Sequence, residues 1–161
     1  KSRLNAKEKE SEQKEVVALS GLMFLAGFII AGLNYRFDWI QLPNIVVIIG
    51  TIIFIISYVV YAEVLRENSF LSRTIEVQDS QKVIDTGLYG IVRHPMYTAT
   101  IFLFLSMPFV LNSFISFIIF LMYPFIIIKR IKNEEDVLEK ELKGYKEYKK
   151  KVKYKIIPFI W

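Results

Sequence analysis

The chain has 161 residues, 53% of them hydrophobic and 15% aromatic, and its charges gather in blocks between apolar runs that carry almost none. That pattern belongs to a small integral membrane protein rather than a soluble domain, and the net charge of +5 then reads as lipid-surface attraction and topology control, not nucleic-acid binding. The lack of cysteine excludes disulfides, thiol chemistry and cysteine-ligated metals, and a lone histidine leaves no metal site to expect.

The opening Lys1-Ser2-Arg3, without a methionine, reads as a processed or trimmed product or as a chain whose start is not represented. Residues 1–15 form a polar segment of mostly Lys, Glu, Gln, Ser and Asn. The first apolar run, 16–33, carries no charge and is close to the shortest that crosses a hydrocarbon core of ~30 Å. Its Gly21, Gly27 and Gly32 suit close helix packing inside a membrane. A polar break with Arg36, Asp38 and Pro43 follows, and Trp39 is placed to anchor at the interface. The second run, 45–65, reads as another spanning helix.

From Arg66 to Arg93 the chain is polar. The alternation in Thr74-Ile75-Glu76-Val77-Gln78, the turn-former pair Asp79-Ser80 and the run Gln81-Lys82-Val83-Ile84 predict a small hairpin on the membrane surface. Two further apolar runs, 95–111 and 114–128, are separated only by Asn112-Ser113, which forces an antiparallel helical hairpin. Pro108 and Pro124 predict kinks or early stops in its arms. After Ile128 the spacing of Ile131, Leu138, Leu142, Tyr145 and Val152 predicts an amphipathic helix over 129–152, followed by a basic tail with an apolar end.

With four crossings, 20 of the 21 Lys and Arg fall on one side, with Arg36 alone on the other. The positive-inside rule makes that side, with both termini, cytoplasmic. The expected fold is therefore an all-α, multi-pass membrane bundle of about four transmembrane helices, a single domain over 1–161.

The chemistry concentrates around 85–97 and 130–134. Proline is favoured at the first position of a helix, so Pro95 predicts a helix start, with the N–H groups of Met96, Tyr97 and Thr98 turned back to form an anion-accepting end. The plainer alternative makes His94 a cap and Tyr97 an interface anchor. Arg130 and Glu134, four apart, share a helix face that also carries Leu138, whereas Glu135, about 100° round, is expected to face water. Snorkelling is the plain alternative for that pair. Antiparallel geometry brings His94–Tyr97 and Arg130/Glu134 to one cytoplasmic end of one helix pair.

Gly87-Leu88-Tyr89, Val92-Arg93-His94-Pro95-Met96-Tyr97, Arg130…Glu134-Glu135…Leu138 and Tyr145…Tyr148 together resemble the isoprenylcysteine carboxyl methyltransferase family, whose relatives include phospholipid N-methyltransferases. The resemblance covers roughly 66–158. It implies a membrane bundle holding S-adenosylmethionine in a pocket capped from the cytosol, within a core over 66–161. It implies cofactor contacts at Gln81, Lys82, Val83, Ile84, Tyr89, His94, Pro95, Met96, Tyr97 and Glu134, and places Arg130 beside the reacting carboxylate. The implied partners are membrane lipids and a lipophilic or lipidated-protein acceptor, most simply a prenylcysteine carboxylate. The family often has His where Gln81 stands and Gly where Ala99 stands. It also commonly carries one more N-terminal crossing, so that residues 1–15 would be the loop after a first helix. Two other chemistries fit the class, methylation of a lipid amine with Glu134 or Glu135 as base, and a sterol-type reductase using a nicotinamide cofactor. A non-enzymatic scaffold is the third alternative.

Overall fold

A computed structural model of the chain describes residues 2–71 and 75–161, with residues 2–10 and 12 described by backbone alone. Six α-helices follow one another: α1 (Ser2–Phe37), α2 (Asn44–Glu67), α3 (Pro95–Val110), α4 (Phe114–Phe120), α5 (Met122–Glu141) and α6 (Tyr145–Lys151). Among the described residues there is no strand.

Three stretches are long and apolar enough to cross a membrane, Gln13–Phe37, Asn44–Glu67 and Phe114–Glu141, and the shorter α3 is apolar throughout. The protein is an integral membrane protein. α3 has 16 residues, about 24 Å of helix, and its first turn is covered by the returning C-terminal tail. The His94 N–H donates to Lys155 O at 2.8 Å, and Thr98 Oγ1 to Ile156 O at 2.7 Å.

The helices pack as α2 against α3 and as α1 against α4 and α5. Glycine sets two of the approaches: a Cβ at Gly27 would lie 2.2 Å from the Phe120 ring, and one at Gly50 would lie 2.5 Å from Phe109 Cβ. Ser116 Oγ closes the first crossing by donating to Gly27 O at 2.8 Å. Gly21 and Gly32 meet nothing within 4 Å, so two of the three expected glycines do not serve packing within this chain. At the end of the bundle away from the tail, Asn34 is 1% exposed and its Nδ2 donates to Ile40 O and Asn112 O, while Leu42 N–H donates to Asn112 Oδ1. Asn112, at φ 54, ends α3, and Ser113 caps α4 by accepting from Ser116 N–H.

Four expectations are corrected. Residues 2–15 are helical and continuous with α1 rather than a loop; the helix-forming Lys, Glu, Ala and Gln, free of Gly and Pro, allow the extension. The surface hairpin does not form: Asp79-Ser80 does turn, with Gln81 N–H on Gln78 O, but residues 75–78 and 81–84 run without a ladder, and Thr74 lies outside the described residues. The chain does not start a new helix after the membrane. α5 begins at Met122, after a break that Pro124 imposes by having no N–H for the Phe120 carbonyl, and continues to Glu141. The expected single helix over 129–152 is cut at Gly144, whose φ of 88 few other residues adopt, so α6 turns back over the pocket. Pro108 does what was expected, and α3 stops two residues beyond it.

Candidate functional site

A pocket with about 830 Å³ of empty space, part of it open to solvent, lies at the tail end of the bundle. The α2–α3 connection forms one wall with Asn68, Phe70, Leu71, Ile75 and Gln81–Ile84, and α5 and α6 form the other with Arg130, Glu134, Val137, Leu138, Tyr145 and Tyr148. The start of α3 supplies Arg93, His94, Met96 and Tyr97. Of the expected site residues, Gln81, Lys82, Val83, Ile84, Tyr89, His94, Met96, Tyr97, Arg130 and Glu134 all line this one pocket. Pro95 is buried behind it, setting the helix start instead.

Local structure explains the wall. Glu67, at the end of α2, accepts from Thr86 Oγ1 at 3.0 Å and Leu88 N–H at 3.2 Å, tying down the 3₁₀ turn Gly87–Gly90. Tyr89 then reaches back: its hydroxyl accepts from Asn68 Nδ2 at 3.0 Å, and its carbonyl accepts from the Tyr148 hydroxyl at 2.7 Å. Burial raises the Tyr89 phenol to about 12 and pushes those of Tyr145 and Tyr148 higher still. Leu142, Tyr145, Tyr148 and Val152 pack with Val77, Val83 and Leu138 into an apolar cluster that floors the tail-side half of the pocket.

The polar half is a chain of side chains. Arg130 Nε donates to the Tyr97 hydroxyl at 2.8 Å, and that hydroxyl donates to Glu134 Oε2 at 2.6 Å. Glu134 Oε1 lies 3.9 Å from His94 Nδ1. His94 Nε2 lies 3.1 Å from Glu135 Oε1, which also accepts from Arg93 Nε at 2.7 Å. Arg93 Nη1 holds the carbonyls of Val152 and Lys153 at 2.8 and 2.7 Å, fastening the tail beneath.

Three site expectations change with this geometry. Glu135 does not face water: it is 4% exposed, with Arg93 and His94 bonded to it and Lys149 and Lys155 at 3.7 and 3.5 Å. His94 is buried at 5% exposure and its side chain caps nothing, so the plainer alternative of a capping histidine does not hold. The helix start offers less to an anion than expected, because the N–H groups of Tyr97 and Thr98 are already spent on His94 O at 3.0 and 3.1 Å.

Arg93 and Tyr145 stand in the quoted motifs without a site role and Glu135 only as an alternative base, and Asn68 is not singled out by the sequence at all. The signal for Glu135 was present: Ile131, Glu135, Leu138 and Leu142 step by four, three and four, so the apolar stripe of α5 runs straight through it. Tyr145 is buried with a hydroxyl that has no hydrogen-bond partner. Among the described residues, no cluster of His, Cys, Asp and Glu could hold a metal.

The profile of the isoprenylcysteine carboxyl methyltransferase (ICMT) family matches residues 47–140. A Delta(14)-sterol reductase of Mus musculus is 29% identical over 91 residues, 55% of this chain and 22% of the reductase. The solved structure of a eukaryotic intramembrane Ras methyltransferase, ICMT, superposes with a TM-score of 0.71 over 88% of this chain and 52% of that one, at 20% identity, a likeness of fold. The chain thus spans about half the length of that methyltransferase and under a quarter of the reductase. With the matched region running from α2 through the Arg130–Glu135 segment of α5, the chain belongs to the isoprenylcysteine carboxyl methyltransferase family.

Proposed function

We propose that this protein transfers a methyl group from S-adenosylmethionine to a membrane-embedded acceptor, the carboxylate of a prenylcysteine-like lipidated substrate. The carrying observation is the Arg130–Tyr97–Glu134 chain at the point where α5 leaves the membrane, inside one pocket. Membership of the family supports the chemistry.

The residues fit the cofactor. Glu134 and Gln81 offer acceptors for its hydroxyl and amino groups, and the apolar floor at Val83, Leu138 and Tyr148 suits a flat heterocycle. A buried hydroxyl without a partner costs about 1–3 kcal/mol, so the Tyr145 group is expected to gain one when the pocket fills. S-adenosylmethionine supplies an electrophilic methyl on a sulfonium. The protein's part is alignment and exclusion of water, since a carboxylate is nucleophilic at neutral pH and no proton has to move. Arg130 holds the acceptor carboxylate through its planar fork, and Tyr97 sets the position of Arg130 relative to Glu134. Gln81, Lys82, Val83, Ile84, Tyr89, His94, Met96 and Glu134 line the cofactor half, with Pro95 fixing the start of α3. The pocket and both termini are assigned to the cytoplasm by the distribution of Lys and Arg.

Methyl transfer to a lipid amine would need a base, and Glu135, one of its two candidates, is fully engaged by Arg93 and His94. Detergent-solubilised protein incubated with labelled S-adenosylmethionine and a farnesylcysteine analogue should yield a base-labile methyl ester. Label appearing on phosphatidylethanolamine instead, or turnover with NADPH and no methyl transfer, would overturn the assignment.

A further inference from the structure

We propose that Glu135 is a positioning residue that works from behind the pocket, fixing which ring nitrogen of His94 carries the proton so that Nδ1 is presented to the ligand as an acceptor beside Glu134. Glu135 does not line the pocket, whereas His94 and Glu134 both do. Its Oε1 sits 3.1 Å from His94 Nε2 and already accepts from Arg93 Nε, and Lys149 and Lys155 stand 3.7 and 3.5 Å from Oε2. A carboxylate among three cations accepts and does not donate, so the proton at this contact belongs to His94 Nε2. In the neutral ring Nδ1 then carries the lone pair.

Nδ1 lies 3.9 Å from Glu134 Oε1, too far for a bond between them. Two acceptors at that separation on one pocket wall suit a single donor placed between them, an ammonium or a hydroxyl. This consequence rests on the reading of the pocket as a cofactor site; the proton placement does not. Glu135 is itself held, because Arg93 is anchored to Val152 O and Lys153 O and both flanking residues pair with the tail, Arg93 N–H with Tyr154 O and His94 N–H with Lys155 O. The tail, α5 and the start of α3 therefore meet on one carboxylate.

Because the chain has one histidine, ¹⁵N labelling of that residue gives a single pair of ring signals from the full-length protein in detergent. Without ligand, Nε2 should appear pyrrole-like and Nδ1 pyridine-like. The opposite tautomer, or a doubly protonated ring at neutral pH, overturns the proposal while leaving the cofactor reading intact. Glu135→Gln keeps a carbonyl acceptor and should keep the tautomer, with S-adenosylhomocysteine affinity within about threefold of wild type. Glu135→Leu should give mixed tautomers and about tenfold weaker binding, the worth of roughly one hydrogen bond. A Leu variant that keeps both tautomer and affinity overturns the proposal. Should that variant not fold, the wild-type spectrum and the Gln variant decide. Absence of S-adenosylhomocysteine binding in a wild type with the expected tautomer would count against the cofactor site alone.

Discussion

The Tyr97 hydroxyl donates to Glu134 Oε2 at 2.6 Å while accepting from Arg130 Nε, so one phenol joins the two charged residues that α5 carries out of the membrane. Arg130 lies one helical turn nearer the apolar part of α5, which under the proposed function would suit it to a lipid-side acceptor and Glu134 to a water-side cofactor. Arg130→Lys keeps the charge but loses the fork. It should lower turnover by about tenfold or more while S-adenosylhomocysteine affinity changes by less than about threefold. Glu134→Gln should weaken binding first. Equal loss of binding in the two variants would give the residues one shared role.

The shared phenol also predicts coupling. Tyr97→Phe should impair both binding and turnover, and Arg130→Lys combined with Glu134→Gln should depart from additivity by about 0.5 kcal/mol or more. Strict additivity would mean that Tyr97 does not link them.

Where the sequence was legible, local rules set the structure. Pro95 starts α3 as a first-turn proline should, Asn112-Ser113 turns the hairpin, and the long apolar runs mark the spanning helices. The pocket wall was legible as a set of residues but not as a network. Leu138, four residues after Glu134, puts Glu134 on the inner face by local period and leaves Glu135 outward. What buries Glu135 is a tail that returns from 152–155, a contact no local period encodes. The break that makes that return possible rests on Gly144, a single residue inside an otherwise helical pattern.

Packing of α1 on α4 can be tested at its glycine. Gly27→Val would push a side chain into the Phe120 ring, which is fully buried, and should destabilise by about 1–3 kcal/mol in a thermal or detergent unfolding series. Gly21→Val, with open space around it, is the control and should change stability far less. Equal effects would remove the close approach from the account.

Topology has its own test. A cysteine at Gln41 should label from outside intact cells and one at Ser80 should not. Asn112 is a poor reporter because its side chain holds Leu42 N–H. Labelling at Ser80 would reverse the orientation.

Alkali should unfold the pocket end of the bundle first. Tyr89 is raised from the usual tyrosine value near 10 to about 12 by burial, and Tyr145 and Tyr148 are raised further. Below about pH 10 both folded and unfolded chains hold these protons, so their contribution to stability is fully present. Between about 10 and 12 the unfolded chain releases its protons first and stability falls, by about 2–3 kcal/mol for Tyr89 alone. The part of the phenolate absorbance that disappears on replacing Tyr89, Tyr145 and Tyr148 by Phe should rise together with the loss of helicity, and its appearance near pH 10 in an intact protein would contradict this.

The most direct measurement is a calorimetric titration of S-adenosylhomocysteine into the solubilised full chain and its Glu134→Gln variant. One site per chain is expected, with the variant binding about tenfold or more weakly. A wild type that does not bind, or a variant that binds as tightly as wild type, would contradict the assignment of this pocket to the cofactor.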